Sequence, residues 1–346
     1  MNKVTLERIL SKKKLRIGII GAGSIGSLFG GYLANINTDD YSTEVIFFCR
    51  EAHAKALKQN GLIIQKNKEF IEVKGIKAFV DLKEYENILG EASSIGFDFL
   101  FLATKAYDTE RVVPQYKKLI EKSVWLIILQ NGIGNEEVVV KYCSKPKSDI
   151  IRIVTSNGAL LKEPGRLIHT GEGITKIGFP YLEEVSLETK EYEKARKDLK
   201  LLGDLLNSVK LETLIIEDIV KECWEKVFVN IGINAIGALT RLHNGKLLEF
   251  EGLNYIMRES INEAILIAKM RNLNLPEKDY YAIAYDVAKK TAKNKNSMLQ
   301  DILNHKATEI EFINGRIVKF AEQLDIDVPI NRILTNLIKG LESSTI

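Results

Sequence analysis

Between Leu15 and about Ile168 the chain alternates short β-branched or aromatic runs with segments of helical period. Leu15 to Ile20, Glu44 to Cys49, Phe97 to Ala103, Val124 to Gln130 and Ile150 to Thr155 are apolar almost throughout. Runs of that kind predict strands buried on both faces, hence a parallel sheet with helices on either side. The helices between them are predicted at Ser24 to Ala34, at Glu51 to Asn60 closed by Gly61, at Thr109 to Glu121 and at Asn135 to Tyr142. Gly61 to Leu82 alternates more loosely and predicts an inserted pair of strands, and Gly165 to Phe179 predicts a hairpin that closes the sheet.

After Pro180 the pattern changes. Tyr181 to Glu191 is acidic and polar, a candidate linker, and no convincing strand follows it. The remainder repeats its apolar positions at the helical period over Tyr192 to Asn207, Ile219 to Thr240, Leu253 to Arg271, Glu277 to Lys293, Met298 to Leu303, Thr308 to Gln323 and Pro329 to Leu341. The expected organisation is an N-terminal extension over residues 1–14, a Rossmann-type doubly wound α/β domain over 15–180, a linker over 181–191 and an all-helical domain over 192–346.

A length of 346 residues exceeds what one hydrophobic core usually holds and agrees with two domains. With 45% apolar and 27% charged residues, the composition is that of a soluble folded chain and excludes a disordered or collagen-like one. The net charge of +3 is too small to create a nucleic-acid or membrane field. The first residues lack the apolar core of a secretory signal, and the apolar runs fall short of the roughly 18 residues a membrane span needs. A cytoplasmic protein is expected. Cys49, Cys143 and Cys223 are odd in number and far apart, which fits neither a disulfide framework nor a zinc site. His53, His169, His243 and His305 show no metal-like spacing and are expected at the surface or at helix ends.

Two patterns carry chemistry. Gly21-Ala22-Gly23-Ser24-Ile25-Gly26 follows the first strand directly and opens the first helix. In a dinucleotide fold the first glycine permits the tight turn, the second lets backbone approach the pyrophosphate, and the third allows close helix packing. The helix N-terminus then offers free amides to phosphate. An NAD site would place Asp or Glu at the end of the second strand, but this strand ends in Cys49-Arg50. Arg50 is placed to pair with a 2′-phosphate, so NADP is expected over NAD. The second pattern is Lys226, Asn230 and Asn234, spaced by four on an otherwise apolar helix. At about 100° per residue these form one polar stripe. Burying it requires partners: a ligand, a facing helix or water. A structural network and a ligand site account for the stripe equally well.

The glycine turn, Thr-Lys-Ala-Tyr-Asp around Lys105, Gln130-Asn131-Gly132, the stretch Trp224 to Asn234, Asn244-Gly245, Ser297 to Asp301 and Thr308-Glu309-Ile310 together resemble the ketopantoate reductases, over about Leu15 to Leu341. The resemblance implies a helical domain like the C-terminal domain of 6-phosphogluconate dehydrogenase, and NADPH-dependent reduction of 2-dehydropantoate to pantoate on the way to coenzyme A. It implies that Lys226 is the general acid, with Glu309 a second catalytic group that also lies at the cofactor. Asn131, Asn230, Asn234, Asn244 and Ser297 would hold the substrate. Gly21, Ala22, Gly23, Ser24, Ile25 and Gly26 would bind the pyrophosphate and Arg50 the 2′-phosphate. Lys105 and Asn131 would line the ribose and nicotinamide side. The implied partner is a small 2-oxo acid, not nucleic acid or membrane, and the chain would act as a monomer or homodimer. Rival readings are a reductase of another 2-oxo acid, a β-hydroxyacid dehydrogenase, or a non-catalytic NADPH-binding regulator.

Overall fold

The computed structural model describes residues 12–181 and 190–345. Most of the expected N-terminal extension, and residues 182–189 of the expected linker, lie outside the described residues. The chain divides into two compact units, one of Met1–Gln130 and Glu136–Ile219, the other of Asn131–Asn135 and Val220–Ile346.

The strands of the first unit are β1 (Lys13–Ile20), β2 (Tyr41–Phe48), β3 (Leu62–Lys66), β4 (Glu69–Val73), β5 (Lys77–Phe79), β6 (Phe99–Leu102), β7 (Trp125–Ile128), β8 (Ile150–Thr155), β9 (Gly158–Glu163), β10 (Arg166–Gly171), β11 (Thr175–Gly178) and β12 (Thr213–Ile215). Its helices are α1 (Ser24–Ala34), α2 (Glu51–Asn60), α3 (Leu82–Leu89), α4 (Thr109–Lys122), α5 (Asn135–Tyr142) and α6 (Lys190–Ser208). Eight strands form a sheet in the order β12-β11-β8-β7-β6-β1-β2-β5. The six strands from β8 to β5 run parallel, and β11 is antiparallel to β8. β6 (Phe-Leu-Phe-Leu) and β7 (Trp-Leu-Ile-Ile) are buried at every position, as strands covered on both faces must be. The strand order reverses at β1, between β2 and β6, which is where doubly wound sheets open a ligand crevice.

Four strands form a second sheet, β4-β3-β10-β9. α1 touches strands of both sheets and is buried from Gly26 to Leu33. Gly31 makes the second approach possible, since a Cβ there would stand 2.6 Å from Leu62 and 2.9 Å from Ile64 of β3.

The hairpin expected over Gly165 to Phe179 does not form. β10 pairs with β9 and β3 in the small sheet, while β11 pairs with β8 in the large one. Asn157, between β8 and β9, ties down Gly173 between β10 and β11, its Nδ2 donating to the Gly173 carbonyl at 2.7 Å and its Oδ1 accepting from Gly173 N at 3.2 Å. The boundary of the helical part also moves. α6 and β12, expected in a helical domain beginning at residue 192, belong to the first unit. Leu199, Leu202, Leu205 and Leu206 of α6 join the core beneath the sheet, and Trp125 Nε1 donates to Asp198 at 3.0 Å. β12 extends the sheet beside β11; at three residues it was too short to register as an alternating pattern.

The second unit is helical: α7 (Ile219–Thr240), α8 (Asn244–Leu247), α9 (Glu251–Met270), α10 (Tyr280–Lys290), α11 (Ser297–Leu303), α12 (Asn314–Leu324) and α13 (Pro329–Thr345). The continuous helix expected over Thr308 to Gln323 is broken into a 3-10 turn at Ile310–Phe312 and α12, with Ile313 in non-helical geometry.

Candidate functional site

The glycine turn is tight and held by close backbone approaches. Gly21 has φ +88, a conformation that favours glycine, and a Cβ there would stand 2.6 Å from Thr104 N. A Cβ on Gly26 would collide with the Gly21 carbonyl, so the helix packs tightly on its own entry loop. At Gly23 a Cβ would meet nothing within 4 Å, which leaves room for a ligand against the backbone. No side chain caps the N-terminus of α1, so its first amides are left to a ligand or water. The Ser24 hydroxyl accepts from Leu161 N at 3.0 Å and keeps its own proton for a donor role. Ala22 is buried, and Ile25 packs partly buried against the core.

Arg50 stands at the end of β2 as the exposed N-cap of α2. Among the described residues its guanidinium makes no ion pair, Glu51 included. Cys49 beside it is no nucleophile, because burial pushes its thiol up to about 12. Lys105 follows β6, in a turn organised by Gln130, whose Nε2 donates to Thr104 O at 3.0 Å and Thr109 Oγ1 at 2.8 Å.

In the second unit the structure joins three of the expected residues directly. Lys226 Nζ donates to Asn131 Oδ1 at 2.7 Å, and Asn131 Nδ2 donates to Glu309 Oε2 at 3.1 Å. An ammonium and a carboxylate are thus bridged by one carboxamide, and Glu309 is buried. The turn that carries Asn131 is held by close backbone approaches. Gly132 and Gly134 have φ +83 and +80, and a Cβ on either would overlap Phe312 or the Arg316 guanidinium. Arg316 Nη2 donates to Gly134 O at 2.7 Å, and Asn135 Nδ2 to Asn131 O at 2.9 Å. The break in the helix before α12 is where this turn docks, with Ile133 N donating to Phe312 O at 3.3 Å.

One and two turns along α7 from Lys226 come Asn230, half-buried, and Asn234, buried with its Nδ2 lacking any partner among the described residues. A buried amide donor without a protein acceptor is costly unless a ligand or water takes it. Asn244 donates to Thr291 Oγ1 at 2.8 Å while its buried Oδ1 likewise finds no partner among the described residues. Ser297 is exposed at the first turn of α11. Its neighbour Asn296 caps that helix and donates to the Ile233 carbonyl of α7 at 3.3 Å.

Several residues that organise the site are not evident from the sequence. Arg152 is fully buried, donates to the Ile128 and Gln130 carbonyls at 3.2 and 2.7 Å, and pairs with Glu136 at 2.8 Å. A lone arginine inside the apolar strand Ile-Ile-Arg-Ile-Val-Thr was the available signal. Arg316 and Asn135 left none. His243 and His305 are exposed and His53 stands in the first turn of α2, a helix end as expected, but His53 and His169 are both buried, and His169 lies on β10 rather than at the surface or a helix end. His169 contacts Tyr32 Oη at 3.0 Å and Asn157 Oδ1 at 3.1 Å. No cluster of three potential metal ligands and no helix long and apolar enough to cross a membrane occurs among the described residues.

Comparison with known proteins agrees with this architecture. Residues 17–180 match the family model "Ketopantoate reductase PanE/ApbA", and residues 218–342 match its C-terminal counterpart. The 2-dehydropantoate 2-reductase of Pyrococcus abyssi is 33% identical over 332 residues, covering 95% of this chain and 98% of that protein. That of Archaeoglobus fulgidus is 34% identical over 329 residues, with 95% and 98% covered. Among solved structures, a PanE/ApbA family ketopantoate reductase from Ralstonia eutropha superposes with a TM-score of 0.80 at 24% identity, covering 96% of this chain and 99% of that one. A ternary structure of D-mandelate dehydrogenase with NADH and anilino(oxo)acetate has the same TM-score at 25% identity, with 96% and 99% covered.

Proposed function

This chain belongs to the ketopantoate reductase PanE/ApbA family, and from that premise we propose that it reduces 2-dehydropantoate to pantoate, with NADPH as reductant and Lys226 as general acid. The observation that carries the reading is the hydrogen-bonded series Lys226, Asn131 and Glu309, with Lys226 on an apolar helix that also carries, at Asn234, a buried amide donor with no partner among the described residues.

The dinucleotide, when bound, supplies a hydride to C2 of the 2-oxo acid. The N-terminus of α1, the open space over Gly23 and Arg50, which makes no ion pair among the described residues, fit its pyrophosphate and 2′-phosphate. Lys226 donates its proton to the ketone oxygen as negative charge grows there, and before that its ammonium stabilises the charge. Asn131 fixes the direction of the ammonium, and Glu309 in turn fixes Asn131. Asn230, Asn234 and Ser297 offer neutral groups to carboxylate and hydroxyl oxygens without competing for the proton. The product is an alcohol, an oxidised dinucleotide and a neutral amine that regains its proton from solvent.

The likeness to D-mandelate dehydrogenase with NADH favours a second reading, reduction of another 2-oxo acid with NADH. Steady-state oxidation of NADPH and NADH with 2-dehydropantoate, pyruvate and 2-oxoisovalerate separates the two. The highest kcat/KM is expected for 2-dehydropantoate with NADPH, and a preference for another acid or for NADH overturns the first reading.

A further inference from the structure

We propose that His53 is a positioning residue for the dinucleotide, holding the Ala22 carbonyl of the glycine turn through the hydroxyl of Ser27. The proposal rests on the reading of that turn as the pyrophosphate site.

Three hydrogen bonds run in one direction through buried side chains. Gly165 N donates to His53 Nδ1 at 3.1 Å, so in the neutral ring the proton sits on Nε2. Nε2 lies 3.1 Å from Ser27 Oγ, and as the ring's remaining donor it donates there. Ser27 Oγ, receiving that bond, sends its own proton to the Ala22 carbonyl at 3.0 Å. His53, Ser27 and Ala22 are all buried. Burial also pushes the His53 ring down to about 4, so it is neutral near pH 7 and the order of donors is fixed.

The far end of the relay is what gives it consequence. The Ala22 carbonyl belongs to the same rigid peptide plane as Gly23 N, at the entry to α1. Gly21 N and Ala22 N both donate to the Phe48 carbonyl, at 2.9 and 3.2 Å, which fixes the preceding backbone on β2. The next plane is held at Gly23 N by its bond to the Gly21 carbonyl at 2.7 Å and at the Ala22 carbonyl by the relay, beside the open space over Gly23. Its near end is the backbone of Gly165, where β10 of the small sheet begins. A histidine that is 32 residues past Gly21 in sequence thereby sets the orientation in which the turn meets a pyrophosphate. A histidine that merely filled space would need no such order of donors.

The test separates relay from packing. Asn places an acceptor where Nδ1 stands and Gln places a donor where Nε2 stands, so His53→Asn keeps the bond from Gly165 and loses the one to Ser27, while His53→Gln does the reverse. Ser27→Ala cuts the relay at the turn itself. His53→Asn and Ser27→Ala are expected to raise the Kd for NADPH by about ten-fold, measured by fluorescence titration of the free protein. KM for the oxo acid and kcat at saturating NADPH should move little, and His53→Gln should recover most of the lost affinity. An unchanged Kd in both severed variants overturns the proposal, as does equal weakening by Asn and Gln with a matching drop in Tm. Nitrogen-15 spectra of the parent protein supply a check that needs no variant: His53 must carry its proton on Nε2, and the Nδ1–H tautomer overturns the relay. Failure of the parent itself to bind NADPH would sink the cofactor reading, a different result from normal binding with unaffected variants.

Discussion

Lys226, Asn131 and Glu309 come from three distant parts of the sequence, yet one carboxamide joins the other two side chains. The spacing of Lys226 with Asn230 and Asn234 already marked α7 as a helix with a single polar line. Spacing could not say which partner the lysine would find, because that partner sits on a loop 95 positions away. Arg152, Arg316 and His53 were harder to read, since a lone polar residue between apolar neighbours reveals neither its burial nor the carbonyl or hydroxyl it serves. At Arg50 the residue type and its place at the end of β2 made the cofactor preference readable as an expectation. A guanidinium can bind a 2′-phosphate bidentately and has nothing comparable to grip on a 2′-hydroxyl. Arg50→Ala is therefore expected to weaken NADPH about 100-fold and NADH less than about three-fold in parallel titrations. Equal losses for both would remove Arg50 from 2′-phosphate recognition.

Periodicity located elements well wherever one face or both faces were uniformly buried. α1, α2 and α7 occupy the spans their apolar patterns marked, and β8 does so residue for residue. Failures occurred where a side-chain bond overrode the local pattern, as where Asn157 ties down Gly173 between β10 and β11. α1 shows why its glycines matter beyond the phosphate turn. Gly31→Val would thrust branched carbon into Leu62 and Ile64 of β3 and is expected to cost about 1–3 kcal/mol. Gly340, exposed on α13 with nothing within 4 Å of a Cβ, gives the opposite expectation: Gly340→Ala should stabilise by roughly 0.5–1 kcal/mol through helix propensity. Thermal or urea unfolding of both variants checks the pair, and a stable Gly31→Val would mean that the small sheet does not press on α1.

At the scale of the whole molecule, the two-unit plan was legible but its seam was not. The second unit takes Asn131–Asn135 out of the middle of the first, and five residues carry no period that could announce it. Under the proposed function the consequence is a division of labour. The glycine turn, Arg50 and the His53 relay lie in the first unit, whereas Lys226, Asn131 and Glu309 lie in the second. Binding of the dinucleotide and transfer of the proton should therefore respond separately to mutation. The most direct test is Lys226→Ala, with Kd for NADPH and turnover of 2-dehydropantoate measured on the same preparation. A Kd within about two-fold of the parent, together with a loss of kcat of about 1,000-fold or more, is the expected result. Turnover that survives the substitution would contradict the account at its centre.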